Sequence, residues 1–155
     1  MLTYQEKLYK GGFNFDNTLR NSSMITDKAL KSHFAKTGTT IVGVLCDEGV
    51  VLAADTRATA GNVAEKNCEK VHFIAPNITC CGAGTAADCE YVTKRMSAEL
   101  ELLRMNTGRE SKVSMMLNKT ASYLFQYGGN IGAYLIISGY DEDGPHLAML
   151  TADGL

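Results

Sequence analysis

Two consecutive helical patterns between strand-like runs constrain the fold of this chain more than any other feature. In each pattern, apolar residues recur every three or four positions, as on one face of a helix. The first stripe, within residues 85–106, comprises Cys89, Val92, Met96, Leu100 and Leu103. The second comprises Val113, Met116, Leu117, Thr120 and Leu124. Because the helices are adjacent and do not alternate with strands, we predict an α+β fold with antiparallel sheets.

Glycine and serine mark the ends of the predicted helices. Gly108 stands where a helix C-cap is expected, and Ser111 is a candidate N-cap for the second helix. The predicted strands are residues 40–46, 50–55, 71–75, 78–81, 131–140 and a run that begins at 146. Residues 56–67 read as a polar connection. The expected order is β-β-β-β-α-α-β-β.

Length and composition favour one globular domain. The chain has 155 residues, of which 45% are hydrophobic and 21% charged, and a net charge of −2. This charge gives no reason to expect nucleic acid or an anionic membrane as a partner. No window reaches the roughly 20 apolar residues of a membrane-spanning helix, and the first residues lack the apolar core of a secretory signal. We therefore expect an intracellular chain.

Five cysteines form an odd set without a Cys-x-x-Cys pair. They are Cys46, Cys68, Cys80, Cys81 and Cys89. A zinc site requires ligand pairs a few residues apart, and the proximity of His72 to Cys68 is the one hint of such a pair. We expect reduced, buried thiols and no metal.

A glycine-rich turn precedes the first helix. Gly82, Gly84 and Ala87 fit the pattern G-x-G-x-x-[GA], which in dinucleotide-binding proteins holds a pyrophosphate at a helix N-terminus. That function requires a parallel strand after the helix, whereas here a second helix follows. The same turn geometry can also direct backbone N–H groups at a developing negative charge, as an oxyanion hole. An oxyanion hole requires a nucleophile elsewhere in the chain.

Thr39 is a candidate nucleophile in the stretch KTGTTIVG, residues 36–43. The chain has no Gly-x-Ser-x-Gly elbow. A threonine that becomes N-terminal carries its own general base, since its α-amine titrates near pH 8. Cleavage after Gly38 would produce such a residue. The alternative interpretation is that Thr39 and Thr40 merely begin a strand, because threonine is a good strand former.

Two longer segments, KTGTTIVGVLCDEGVVLAADTRAT and EKNCEKVHFIAPNITCCGAGTAAD, together resemble the active beta-type subunits of the eukaryotic 20S proteasome, which are N-terminal-nucleophile hydrolases. The likeness is greatest to the trypsin-like second beta subunit and runs from about Gly12 to Gly154. It includes GGFNFDN near the N-terminus and NTGR at residues 106–109. The resemblance implies a four-layer αββα sandwich and a threonine endopeptidase that needs no cofactor.

The resemblance also implies a role for each matching residue. Thr39 is expected to be the nucleophile and, through its α-amine, the base, after autocatalytic cleavage of the Gly38–Thr39 bond. Asp55 and Lys70 match the family's carboxylate–lysine pair. Gly84 matches the residue whose N–H forms the oxyanion hole.

The substrate-binding residues follow from the same resemblance. Thr59 and Gly61 match a segment that pairs with an extended substrate by strand addition. Gly82 is expected to leave a deep specificity pocket, and Glu90 to offer a carboxylate to an arginine or lysine of the substrate. Glu90 has an alternative interpretation as an acid that complements the dipole at the start of its helix.

The sequence departs from the family in two places. Residues 61–66 form a loop one residue shorter than usual, so Lys70 is matched through the motif KNCEK. An uncompensated shift would turn Lys70 to the other face of its strand. Family members also continue beyond the position of Leu155. We therefore expect residues 1–38 to be a leader and residues 39–155 a hydrolase domain truncated at its C-terminus.

The resemblance implies the surroundings in which the chain acts. Other alpha and beta subunits in a hetero-oligomeric ring stack are the expected partners, and unfolded polypeptides are the expected substrates. The expected setting is ubiquitin-dependent degradation in cytoplasm and nucleus. A rival hypothesis is a truncated, non-catalytic subunit variant that keeps Thr39 but is never processed.

Overall fold

The structure, a computed structural model, describes residues 38–60 and 62–155. A short helix is also predicted at residues 27–34; this segment, the rest of residues 1–37 and Gly61 lie outside the described residues. The strands are β1 (Ile41–Cys46), β2 (Gly49–Ala54), β3 (Ala58–Ala60), β4 (Asn62–Glu65), β5 (Val71–Ala75), β6 (Ile78–Gly84), β7 (Ala133–Asp141) and β8 (Gly144–Leu150). The helices α1 (Ala86–Thr107) and α2 (Val113–Gln126) stand between β6 and β7.

Both helices form where the apolar stripes predicted them. The buried stripe residues are Cys89, Val92, Met96 and Leu100 in α1, and Val113, Met116, Thr120 and Leu124 in α2. Gly108 ends α1 as predicted. Its φ of 67° lies in the left-handed region that favours glycine, and its N–H donates to the Arg104 carbonyl.

The start of α2 differs from the prediction. Ser111 is not the N-cap, because the residue that precedes the helix is Lys112, whose side chain makes no capping bond. The carboxylate of Asp141, at the end of β7, instead accepts a hydrogen bond of 2.9 Å from the Val113 N–H. The Ser111 hydroxyl is buried and has no hydrogen-bond partner among the described groups. A contact distant in sequence therefore fixes this helix terminus.

Strands β5, β6, β7 and β8 form one antiparallel sheet in that order. Alternate residues of a strand face the same side of a sheet. Ala133, Leu135 and Ile137 of β7 are accordingly all fully buried, in a core that they share with both helices. This arrangement confirms the predicted α+β class with antiparallel pairing.

The antiparallel sheet contradicts the dinucleotide-binding hypothesis. Gly84, at the end of β6, pairs with Ala133 of β7 in the antiparallel direction, and the two helices form the whole connection. A dinucleotide-binding unit requires a parallel strand after its helix. The proposed use of Gly82, Gly84 and Ala87 to hold a pyrophosphate is therefore wrong.

The β1–β2 hairpin forms a second β layer against the four-stranded sheet. Gly43 lies so close to this sheet that an added Cβ would stand 2.7 Å from Leu147 Cδ1 and 3.1 Å from Ile136 Cγ2. The opposite face of the hairpin exposes Val42 and Val44. Helices, sheet and hairpin are three of the four layers predicted for an αββα sandwich, and residues 38–60 and 62–155 contain no second helix layer.

The β3–β4 hairpin was not predicted. It lies within residues 56–67, where Ala58 pairs with Glu65 and Ala60 with Asn62. Every residue of β4 is exposed, so no apolar alternation marks this strand in the sequence. The remaining strands agree with the prediction to within about three residues at each end.

The cysteines are free thiols in three different environments. Cys80, Cys81 and Cys89 are buried. Cys80 and Cys89 belong to the core that β6 shares with α1, whereas Cys81 lies on the opposite face of β6. Burial raises the pKa of Cys80 and Cys81, and that of Cys89 to about 11. The expectation of buried thiols is wrong for Cys46, which is exposed, and for Cys68, which is half-buried.

Candidate active site

The β1–β2 hairpin brings the start of β1 next to the end of β2. Ile41 pairs with Ala54, so the residues just before β1 adjoin those just after β2. The Asp55 N–H donates to the Thr40 carbonyl at 3.1 Å, and the Thr40 N–H donates to Asp55 Oδ1 at 3.0 Å. These two bonds fix the Asp55 carboxylate at the end of the hairpin where Thr39 lies.

Lys70, just before β5, joins the candidate residues through its side chain. Its Nζ donates to Thr39 Oγ1 and to Asp55 Oδ1, each at 3.0 Å. A third bond, of 2.7 Å, goes to the Arg57 carbonyl. The three N–H donors of a lysine ammonium group thus have one acceptor each. The Lys70 side chain is only 8% exposed, and Asp55 supplies the opposite charge that a buried cation requires.

The electrostatics of Asp55 support this ion pair. The hydrogen bond from Lys70 lowers the pKa of Asp55, and the N–H groups of Thr40 and Arg57 lower it further. Asp55 therefore stays ionised at neutral pH. A positive charge held against Thr39 Oγ1 favours the build-up of negative charge on that oxygen.

The end of β6, which carries Gly84, runs alongside the start of β5, next to Lys70. The Gly82 N–H donates to the Lys70 carbonyl at 3.1 Å. Because residues two apart in a strand direct their N–H groups to the same side, the Gly84 N–H lies on the β5 side, beyond the start of β5. Gly84 has a φ of 114°, in the left-handed region, and an added Cβ would collide with the Gly132 carbonyl. This position therefore requires glycine.

Gly82, one of the two residues predicted to shape a specificity pocket, packs against α1, the helix that carries the other, Glu90. A Cβ added at Gly82 would stand 2.9 Å from Cys89 Cβ, so close packing of α1 also requires a glycine there. Glu90, the next residue of α1, is exposed and bonds to Lys94 Nζ at 2.6 Å. This bond lowers the pKa of Glu90. The pocket roles of Gly82 and Glu90 stay predictions.

The remaining candidates are Gly38, Thr59 and Gly61, of which Gly61 lies outside the described residues. Gly38 is exposed, with open space around the position of a Cβ, so the bond that precedes Thr39 is reachable from solvent. Thr59 lies in β3 opposite Val63. The pairing of Thr59 and Gly61 with a substrate stays a prediction.

Sequence reasoning missed two groups that hold the site together. The Arg57 carbonyl accepts from Lys70, and the Thr40 N–H donates to Asp55. Both groups belong to the backbone, which every residue type carries, so the sequence contains no signal for either contact.

Two other features are absent from the described part of the chain. Within it, no three His, Cys, Asp or Glu side chains come together as a metal site. Neither of its helices is long and apolar enough to cross a membrane.

Comparison with known proteins identifies the family. The model of the family described as "Proteasome subunit" matches residues 35–155. The chain therefore belongs to the proteasome subunit family, whose fold is that of the N-terminal-nucleophile hydrolases. The resemblance that the motifs indicated is confirmed at the level of the family.

Several proteasome beta subunits are similar to this chain. It is 54% identical to proteasome subunit beta type-7-A of Arabidopsis thaliana over 94% of this chain and 54% of that protein. It is 49% identical to proteasome subunit beta type-7 of Dictyostelium discoideum over 96% and 56%, respectively. It is 48% identical to proteasome subunit beta type-2 of Saccharomyces cerevisiae over 92% and 55%. The chain thus spans about half the length of these relatives.

Proposed function

We propose that this chain is the precursor of a threonine-type endopeptidase subunit of the 20S proteasome core. The observation that carries the proposal is the position of Lys70 Nζ, 3.0 Å from both Thr39 Oγ1 and Asp55 Oδ1. A buried ammonium group in contact with a hydroxyl and a carboxylate has the charge needed to activate a nucleophilic oxygen. Membership of the proteasome subunit family supports the same reaction class.

Activation begins with an attack within the chain. Thr39 Oγ adds to the carbonyl carbon of Gly38, and collapse of the tetrahedral intermediate breaks the Gly38–Thr39 C–N bond. The amide thereby becomes an ester, and the proton lost from Oγ is passed to the released nitrogen. Water then hydrolyses the ester, which frees residues 1–38 as an acid and restores the Thr39 hydroxyl. Until the C–N bond breaks, the α-amine is acylated and cannot act as a base.

Peptide cleavage repeats this chemistry on a substrate. The freed α-amine of Thr39 accepts the Oγ proton as Oγ attacks the scissile carbonyl, and then donates the proton to the leaving amine. The Gly84 N–H stabilises the negative charge on the carbonyl oxygen, while Lys70 stabilises Oγ. Hydrolysis of the acyl-enzyme by a water molecule, activated by the same amine, completes the turnover.

The substrate and partners follow from the predicted pocket and from the family. In the role that the family resemblance implies for Glu90 and Gly82, the Glu90 carboxylate binds a basic side chain of the substrate and favours cleavage after arginine or lysine. The segment at Thr59 and Gly61 aligns an extended, unfolded polypeptide. The subunit acts with other alpha and beta subunits in a ring stack, in the cytoplasm and nucleus, during ubiquitin-dependent degradation.

The intact mass of the chain purified from its own cells tests this function. We expect a species that begins at Thr39, in a particle that cleaves after basic residues. Thr39→Ala should abolish both, whereas Thr40→Ala, next to it, should preserve both because Thr40 contributes backbone groups. A chain that still begins at Met1 in a particle without this cleavage would reject the proposal in favour of the non-catalytic variant.

A further inference from the structure

The turn that carries Gly84 packs against the peptide groups of Gly132, the residue before β7. The Thr85 N–H donates to the Gly132 carbonyl at 2.7 Å. The same carbonyl occupies the place where a Cβ of Gly84 would lie. The direction of the Gly84 N–H therefore depends on where the Gly132 peptide is held.

Asp88, in the first turn of α1, holds Gly132 through its other backbone group. Its Oδ2 accepts a hydrogen bond of 2.9 Å from the Gly132 N–H. A Cβ added at Gly132 would stand 2.7 Å from Thr85 Oγ1 and 3.3 Å from Asp88 Oδ2, so this contact leaves no room for a side chain. The N–H and carbonyl of Gly132 are thus both bound by the start of α1 and the residue before it.

A simpler interpretation of Asp88 is that its charge complements the helix dipole. That role needs only a negative charge in the first turn. The structure shows more than a charge, because the carboxylate is directed at a backbone N–H 44 positions away in sequence. The contact joins α1 to the segment that supports the Gly84 turn.

We infer that Asp88 is a positioning residue for the oxyanion donor. Its bond to Gly132 fixes the peptide against which the Gly84–Thr85 turn packs, and so sets the direction of the Gly84 N–H. This inference rests on the proposed function, which assigns that N–H to the oxyanion hole. Since an oxyanion donor acts on charge that develops in the transition state, its misalignment lowers kcat and leaves KM nearly unchanged.

The test uses the assembled particle that carries the full chain with one of four substitutions. Asp88→Ala should lower the rate of cutting before Thr39 by about 10- to 100-fold. It should lower kcat for a peptide amide with a basic residue by a similar factor, when kcat is expressed per chain that begins at Thr39. Asp88→Asn keeps an oxygen acceptor and should restore most of the rate. Asp88→Glu displaces the acceptor and should give an intermediate rate. Glu101→Ala is the control, because Glu101 lies on the same helix and pairs with Arg104.

The outcomes separate the inference from the function on which it rests. An unchanged kcat in Asp88→Ala would overturn the positioning role. Equal losses of kcat in Asp88→Ala and Asp88→Asn would also overturn it, because they would indicate an effect of charge. If Asp88→Ala does not assemble, the order of kcat in Asp88→Asn and Asp88→Glu decides, and equal values overturn the inference. An unsubstituted chain that is never cut before Thr39 would overturn the proposed function and this inference together.

Discussion

Lys70 Nζ lies 3.0 Å from Thr39 Oγ1, although 31 positions of sequence separate the two residues. A second bond ties the same nitrogen to Asp55, just after β2. Three segments of the chain therefore meet at one charged group. Substitutions at Lys70 and around it should separate the contributions of charge, hydrogen bonding and packing to activation, catalysis and stability.

Replacing the charge at Lys70 should stop activation. We expect Lys70→Met to lower the rate of cutting at Gly38–Thr39 at least about 100-fold, because it removes the charge that stabilises Oγ. Lys70→Arg should also fail, since a planar guanidinium cannot reproduce three bonds from one nitrogen. Intact mass measured over time gives the rate. The control is Lys119→Met, at an exposed lysine paired with Glu99, and an equal loss there would refute the explanation.

Asp55→Asn should separate charge from hydrogen bonding. The amide oxygen can still accept from Lys70, but the negative charge is gone, so we expect a loss of cutting rate of about tenfold or more. The pKa of Asp55 is lower in the folded chain than in the unfolded one. The stabilisation that its charge provides is therefore fully present above the pKa of the unfolded state and is lost only as the pH falls through the lower pKa of the folded state.

The ratio of the cutting rate of the unsubstituted chain to that of Asp55→Asn should therefore be constant between about pH 5 and 8, which is above the range in which Asp55 titrates. Cutting rates of the unsubstituted chain and Asp55→Asn, measured in parallel across this range, provide the check. A ratio that changes steadily across the range would show that Asp55 titrates there, contrary to the structure.

Glu90 and Lys94 should have opposite effects on a basic substrate. Glu90→Gln removes the carboxylate and should raise KM for a peptide with arginine before the scissile bond about tenfold, with kcat nearly unchanged. Lys94→Met removes the competing cation 2.6 Å away and should lower that KM. Steady-state kinetics of the assembled particle measure both. If neither change depends on substrate charge, Glu90 only complements the helix dipole.

Gly43→Ala should loosen the two β layers. The added Cβ would stand 2.7 Å from Leu147 Cδ1, so we expect a decrease in the free energy of unfolding of about 1–3 kcal/mol. Gly49→Ala, in the same hairpin, is the matched control because its Cβ would meet nothing within 4 Å. Chemical denaturation of the purified chain gives the free energy of unfolding of each variant. Equal values would mean that the two layers accommodate the added Cβ without loss of stability.

Local patterns were sufficient for the helices and for most strands. The apolar residues Cys89, Val92, Met96 and Leu100 of α1 follow helical spacing, and such a stripe usually packs against the core, as it does here. The cap of α2 could not be predicted in this way. Asp141 accepts from the Val113 N–H but belongs to a different element, so the residues next to Val113 in the sequence do not indicate the contact.

The candidate site was predictable in its side chains but not in its backbone contacts. Thr39, Asp55 and Lys70 belong to motifs, and the structure brings them together despite the short loop before Lys70. The Arg57 carbonyl that completes the coordination of Lys70 has no residue-type signature. The bond between Asp88 and Gly132 was missed because each residue, taken alone, has an ordinary role in a helix or a turn.

The buried thiols make the chain its own reporter of unfolding. Alkylating reagents react with thiolates, and burial keeps Cys80, Cys81 and Cys89 protonated and inaccessible. Cys46 is exposed and takes up label in the native state. Later labelling of Cys80 and Cys89, which lie in the core shared by β6 and α1, would mark the separation of these two elements. Mass spectrometry of the alkylated chain can therefore follow this event inside a cell extract, without an added dye or an engineered cysteine.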